Sequence, residues 1–144
     1  MKFIGFEREE EAEVWARERL DVAAEPTLFR AMSLVDDEGD FKCVVVFSNF
    51  TPRNVDLNIA GEPRWATPKA TITLFNEVFS YAFKMLRAAR VTALVRGKNE
   101  VCKQFIEHLG FKLEGVMRSA FVDDDLHIYG FLAEDYHSHA WCRG

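Results

Sequence analysis

The stretch TLFRAMSLVDDEGDFKCVVVFSNF, residues 27–50, narrows what this chain can fold into more than any other. Two apolar runs, about 27–35 and 41–49, flank Asp36-Asp37-Glu38-Gly39-Asp40, a cluster of turn formers. That pattern is a β-hairpin. RNVDLNIAG follows, with Val55, Leu57 and Ile59 on one side and Asp56 and Asn58 on the other, the period of a half-buried strand. Gly61-Glu62-Pro63 ends it. Three consecutive antiparallel strands therefore form the heart of a sheet, and the rest of the chain packs around them.

The flanking segments supply the cover. KFIGF reads as a first strand. From Glu7 to about Leu20 a charged run carries Val14, Trp15 and Leu20 on one modest apolar face, with Glu9-Glu10-Glu11 as a solvated first turn that the helix dipole favours. A longer helix is expected from Pro68 to about Arg87, where Phe75, Val78, Phe79, Ala82 and Leu86 recur at three- and four-residue spacing. Thr67 suits its N-cap and Pro68 its first position. RVTALVRG is a strand, Asn99–Leu109 a helix closed by Gly110, and FKLEGVMRSAFV another strand. After the turn Asp123-Asp124-Asp125, LHIYGFLAED is the last strand, and the tail from about Tyr136 is expected to be irregular. The order β-α-β-β-β-α-β-α-β-β defines an α/β (α+β) chain. With 144 residues and no repeat or linker, a single domain over residues 1–144 is expected.

Composition excludes several classes. Hydrophobic residues make up 49% and charged residues 28%, a globular rather than disordered balance. A net charge of −5 does not suit a nucleic-acid binder, and fits a cationic substrate or partner better. The three cysteines, Cys43, Cys102 and Cys142, form no CxxC and read as reduced thiols. The start, MKFIGFEREEEAE, turns acidic too soon for a secretory signal, and no apolar run reaches membrane-spanning length. The expectation is a soluble, cytoplasmic protein with neither membrane nor nucleic acid as partner.

The element order, together with NEVCKQFIEHLGFKLEGVMR and HIYGFL, resembles the GCN5-related N-acetyltransferase (GNAT) superfamily. Within it the pattern is most similar to the ribosomal-protein N-terminal acetyltransferases and their small phage-type relatives. That subgroup shows Asn, two residues, Ser, a basic residue two further on, then Leu-Gly-Phe with Glu-Gly close behind. Here the positions read Asn99, Cys102, Gln104, Leu109, Gly110, Phe111, Glu114 and Gly115. The final strand, Ile128-Tyr129-Gly130-Phe131-Leu132, matches as well. The resemblance implies a mixed, mostly antiparallel sheet, splayed between its fourth and fifth strands, with flanking helices and acetyl-CoA in the gap as co-substrate.

It further implies cofactor contacts from Leu57, Asn58 and Ile59 of the splayed strand, where the pantetheine arm pairs as an added strand would. Asn99 would bond the pantetheine amides, cap its own helix, or both. The family's pyrophosphate loop, Gln/Arg-x-x-Gly-x-Gly/Ala, corresponds to Arg64, Trp65, Ala66, Thr67, Pro68, Lys69 and Ala70. Ala66 and Pro68 replace its glycines, and Pro68 removes an N–H donor. The remaining helix-terminal amides, the Thr67 hydroxyl and the Arg64 and Lys69 cations are left for an anion. Lys103, on the following helix, joins them as a basic contact.

Acetyl transfer to an amine needs a polarised carbonyl, a deprotonated amine and a proton for the leaving thiolate. Many family members carry a Tyr acid where this chain has Ile106. The candidates left are Tyr129 and His127, on one face of the last strand, and Asp56, with Glu62 near the splay. With no strong base evident, a peptide α-amine (pKa about 7.7–8.0) suits the site better than a lysine near 10.4. The expected function is therefore acetyl transfer to a primary amine, most of all a protein or peptide N-terminus. The alternative is a binding protein on the same fold, such as phages encode, acting in a host cytoplasm with catalysis reduced. His137-Ser138-His139 with Cys142 lacks a fourth zinc ligand, so no metal is expected, and Cys102 reads as a buried structural thiol.

Overall fold

The computed structural model describes residues 1–20 and 28–138. Seven strands form one sheet: β1 (Lys2–Gly5), β2 (Phe29–Val35), β3 (Phe41–Ser48), β4 (Asn54–Gly61), β5 (Arg90–Arg96), β6 (Lys112–Met117) and β7 (Leu126–Leu132). Their spatial order is β1-β2-β3-β4-β5-β7-β6. Every neighbouring pair is antiparallel except β4 and β5, which run parallel. Four helices flank the sheet: α1 (Glu9–Arg19), α2 (Pro68–Ser80), α3 (Glu100–Leu109) and α4 (Ala133–Ser138).

The strand alternation sorts side chains between two cores. Val55 and Leu57 of β4, with Val91, Ala93 and Val95 of β5, meet Leu74, Phe75, Phe79 and Ile106 of α2 and α3. On the other face Ala60, Val44, Val46 and Ala31 receive Ala12 and Ala16 of α1. Asp56 and Asn58 share the parity of Ala60, and Thr92, Leu94 and Arg96 oppose the core parity of β5; all five project to the α1 face. α1 packs chiefly on β2, β3 and β4.

The hairpin forms as read from the sequence. Asp36 Oδ1 accepts from the backbone N–H of Glu38 and Asp40, an Asx-type turn that fixes the register of β2 and β3. The Asp40 backbone bond holds the Asp36 carboxyl below the usual range; burial opposes it, and the Lys42 ammonium and the Glu38 N–H add to the lowering. The expected first strand of the hairpin begins at Phe29; its Thr27 lies outside the described residues.

Four expectations are corrected. Glu9 is not a solvated first-turn acid: its carboxylate takes Arg30 Nε and the Ala31 N–H, both at 2.9 Å, and pins α1 to β2. The long helix changes character after Ser80. Tyr81–Met85 is a π-helical turn, with the Leu86 N–H bonding back to the Tyr81 carbonyl. The sixth strand stops at Met117 rather than running to 122. Ser119 N–H donates to Asp125 Oδ1 and Phe121 N–H to the Asp124 carbonyl, so a carboxylate and a local turn replace the ladder. Tyr136 does not begin an irregular tail. It is buried in α4, stacked on Phe83 at 4.8 Å; residues 139–144, with His139 and Cys142 of the weighed zinc motif, lie outside the described residues.

Gly110 closes α3 at φ +115°, and a Cβ there would stand 3.0 Å from Phe131 Cε1. Gly110→Ala should therefore cost about 2 kcal/mol from backbone strain. At about 3 °C per kcal/mol, thermal unfolding should come about 6 °C lower. A melting temperature within a degree of the parent would contradict this reading of the α3 terminus.

Candidate acyl-donor cleft

β4 and β5 pair at Asn54↔Arg90, Val55↔Val91, Asp56↔Thr92 and Leu57↔Ala93, and no further. Both strands continue, β4 to Gly61 and β5 to Arg96. Each keeps its outer partner to its end: β3 pairs β4 as far as Cys43↔Gly61, and β7 pairs β5 as far as Leu126↔Arg96. The two halves of the sheet thus diverge beyond Leu57 and Ala93. Along Asn58–Gly61 and Leu94–Arg96, alternate backbone N–H and C=O groups turn into the gap without a ladder partner.

A cleft of about 310 Å³ fills the divergence. Leu57, Asn58 and Ile59 line one wall, Ala93–Arg96 the other, Asn99, Cys102 and Ile106 of α3 close one face, and Arg19, Leu20, Phe121 and Leu126 border it as well. The sequence-predicted Leu57, Asn58, Ile59 and Asn99 therefore converge. Arg19, Leu20, Arg96 and Phe121 were missed. Arg96 had a legible signal, as the polar end of the Thr92-Leu94-Arg96 alternation; Arg19 and Phe121 arrive only through tertiary packing.

Asn99 does cap its helix. Its Oδ1 accepts the Cys102 N–H at 3.1 Å, which leaves the Nδ2 amide free to donate. Cys102 and Cys43 are thiols whose pKa values burial raises, in keeping with structural roles.

Loop 64–70 stands at the end of β4 and is not part of this lining. Trp65 covers Gly61, where any side chain would collide with the indole, and meets Phe105 of α3 edge-on at 5.5 Å. Arg64 holds a left-handed φ of +66°. At the α2 terminus the Thr67 N–H goes to the Trp65 carbonyl, Pro68 has none, and the Ala70 N–H goes to Thr67 Oγ1. Lys69 alone keeps an uncommitted amide there. The Arg64 and Lys69 side chains are exposed and make no ion pair among the described residues. Lys103, mostly buried along its stem, pairs with Glu100 at 2.9 Å.

The catalytic candidates are not brought together. Tyr129 and His127 share the α2/α3 face, and neither lines the cleft. The Tyr129 hydroxyl donates to Glu107 Oε1 at 3.1 Å, and His127 Nδ1 is buried without a hydrogen-bond partner among the described residues. Asp56 stands on the opposite, α1 face, at the closed end of the splay. Its carboxylate accepts from the side-chain amides of Asn54 (2.9 Å) and Asn49 (3.2 Å). Thr92 Oγ1 donates to Asn54 Oδ1 at 2.6 Å, and Arg90 Nε donates to Thr92 Oγ1. This polar bridge laces β4 to β5 where they are paired. Among the described residues no group of three His, Cys, Asp or Glu is placed to hold a metal.

No protein-family model matches the chain, and no curated protein matches it. Solved structures do. The spermidine/spermine N-acetyltransferase of Vibrio cholerae is 20% identical, with 91% of this chain and 78% of that one covered and a TM-score of 0.65. The ribosomal-protein-S5-alanine acetyltransferase of Vibrio fischeri is 19% identical, over 76% and 64%, at 0.65. A GNAT-family acetyltransferase of Bacillus anthracis is 16% identical, over 72% and 66%, at 0.61. The chain has the GNAT fold.

Burial first, and the hydrogen bond to Glu107 second, push the Tyr129 phenol up to about 12. An unfolded tyrosine titrates near 10. The folded chain thus keeps a proton that the unfolded chain loses between about pH 10 and 12. The associated stability is fully present below about pH 10 and lost as pH rises toward 12. Tyr129→Phe should flatten that alkaline fall in denaturant midpoints; an unchanged slope would contradict the assignment.

Proposed function

We propose that the protein is an acetyl-CoA-dependent N-acetyltransferase acting on a primary amine, foremost a protein or peptide α-amine. One observation carries the reading: β4 and β5 stop pairing at Leu57↔Ala93 while both run on, leaving a cleft walled by unpaired backbone and floored by Asn99.

The residues fit the donor in two places. The unpaired edge of Asn58–Gly61, with Asn99 Nδ2, matches the alternating amides of a pantetheine arm. The Lys69 N–H and the Arg64 and Lys69 cations match a diphosphate, by charge more than by helix amides. Acetyl-CoA, when bound, supplies an acetyl thioester. The unpaired N–H groups of β4 are donors set where charge develops on an acyl oxygen, and they need little reorganisation because β3 holds that strand. Asp56, with only neutral amide donors, can take the proton of an amine through water on the α1 face. An α-amine is already partly neutral at physiological pH, which lowers the demand on that base.

Acceptors named for the fold's neighbours include a polyamine and a ribosomal protein; the weak base of this site favours the second type. The thinned α2 terminus supports a second reading, a GNAT-fold binding protein acting through a protein partner with catalysis reduced. Calorimetry separates the two. Micromolar binding of acetyl-CoA, weakened about tenfold or more when Arg64 and Lys69 are both changed to Gln, supports the enzyme. No heat and no thermal stabilisation at millimolar ligand would overturn it.

Asn99 offers a finer test. Asn99→Asp keeps an N-cap acceptor at the start of α3 but removes the Nδ2 donor. It should leave the melting temperature within about 2 °C while weakening acetyl-CoA by roughly two- to tenfold, the effect of one lost hydrogen bond. Asn99→Ala should lose both affinity and about 1 kcal/mol of stability. Equal affinity in Asn99→Asp and the parent would assign Asn99 to the cap alone.

A further inference from the structure

Glu114 and Gly130, two positions of the C-terminal sequence pattern, lie outside the cleft lining, yet polar contacts connect them to its closed end. The Glu114 carboxylate takes both terminal nitrogens of Arg90, a bidentate pair that crosses β7 at Gly130. A Cβ at Gly130 would meet the Glu114 carboxylate and stand 2.6 Å from Arg90 Nη2, so glycine leaves the room in which the pair crosses. From there the contacts run through β5 into β4. Arg90 Nε donates to Thr92 Oγ1 at 3.1 Å, Thr92 Oγ1 to Asn54 Oδ1 at 2.6 Å, and Asn54 Nδ2 to Asp56 Oδ1 at 2.9 Å. Asn49, just past β3 with a left-handed φ of +51°, donates to the other Asp56 oxygen at 3.2 Å.

This chain of contacts has one direction. A guanidinium only donates and an ionised carboxylate only accepts, so chemistry fixes both ends. Thr92 Oγ1 accepts from Arg90 and sends its own proton to Asn54. Asn54 then turns its carbonyl to Thr92 and its amide hydrogens to Asp56; the opposite flip would set Oδ1 against the carboxylate. An ionised carboxylate has about four acceptor positions. Asn54 and Asn49 fill one on each oxygen, and the others remain for water on the half-buried α1 face. Two neutral amides thus set the plane of Asp56, and one of them is aimed from Arg90.

Building on the acetyltransferase reading above, we propose that Arg90, Thr92 and Asn54 are positioning residues for Asp56, holding its carboxylate so that the acceptor amine's proton enters from its open side. Asp56 directly precedes Leu57, where pairing with β5 ends, and so stands beside the point at which the splay opens. In the transfer the amine nitrogen bonds to the acetyl carbon and the carbon–sulfur bond breaks, its electron pair leaving with the thiolate. The amine's proton passes through water to Asp56, which gives it up to solvent, and the thiolate takes a proton from solvent. A carboxylate free to rotate would spend part of its time out of line with that water, and general-base catalysis depends on this alignment. Glu114 and Gly130 serve the same end from β6 and β7, by fixing the guanidinium from which the contacts start.

The test is a double-mutant cycle in steady-state acetyl transfer from acetyl-CoA to a panel of peptide α-amines. Asp56→Asn should lower kcat about 100-fold, the range of a general base. Thr92→Val keeps the shape of the side chain and interrupts the contacts; it should lower kcat about tenfold, the effect of one lost hydrogen bond. Thr92→Ser should recover most of that loss. Gly130→Ala displaces the Arg90–Glu114 pair from outside the cleft and should lower kcat about threefold, as one weakened hydrogen bond would. Acetyl-CoA affinity by calorimetry should stay within about twofold in each variant. In the Asp56→Asn background Thr92→Val should cost less than about twofold, because it acts through the carboxylate. An equal cost in both backgrounds, a Thr92→Ser as slow as Thr92→Val, or full activity in Asp56→Asn would overturn the positioning role and leave acetyl transfer intact. Absence of acetyl-CoA binding or of turnover by the parent would overturn the acetyltransferase reading, and this role with it.

Discussion

The arrangement turns on a parallel pair of strands that parts after four residues. β4 and β5 are joined through Leu57↔Ala93, laced on their α1 face by the Arg90–Thr92–Asn54–Asp56 bridge, and then diverge. Unpaired edges are normally a liability, because each backbone group left in the dry interior costs about 1–3 kcal/mol. Here the edges face a cleft of about 310 Å³ rather than protein. The gap persists because β3 and β7 hold the two strands along their diverging ends, so closing it would mean bending two half-sheets together.

The aromatic layer beneath resists that bending. Phe75 packs on Phe105, and Phe79 on Phe111 and Phe131, while Phe83 stacks on Tyr136 of α4. These rings tie α2 and α3 to β7 and α4, and Phe47 of β3 meets Tyr81, just after α2, at 4.9 Å. Trp65 extends the layer from the loop side by packing on Phe105. Phosphate recognition by Arg64 and Lys69 would then rest on charges carried by a loop that Trp65 anchors, which offsets in part the amides taken by Thr67 and removed by Pro68.

Local chemistry was readable from the chain and long-range register was not. The alternation of Val55, Leu57 and Ile59, the Thr67-Pro68 start, the Asn99 cap and the Gly110 stop each depend on neighbours within four residues, and each is found as expected. The fold's splay came through resemblance, since no local pattern says where two parallel strands cease to pair. The Asn54–Thr92 bond joins residues 38 apart in sequence and has no local signature. Nothing local marks Tyr136 as a core residue, because its partners, Phe79 and Phe83, lie more than fifty residues away. The same holds for Tyr129, whose place on the last strand could be read while its hydroxyl's bond to Glu107 could not.

Binding of the acyl donor along the unpaired edge of β4 is the proposal on which the rest depends. Residue-resolved amide hydrogen exchange, measured with and without acetyl-CoA, addresses it directly. Fast exchange is expected for the gap-facing amides of Asn58–Gly61 in the free protein and marked slowing when acetyl-CoA is present, with β1 and β2 unchanged. If those amides exchange at the same rate in saturating acetyl-CoA, or are already protected without it, the splay is not the donor site.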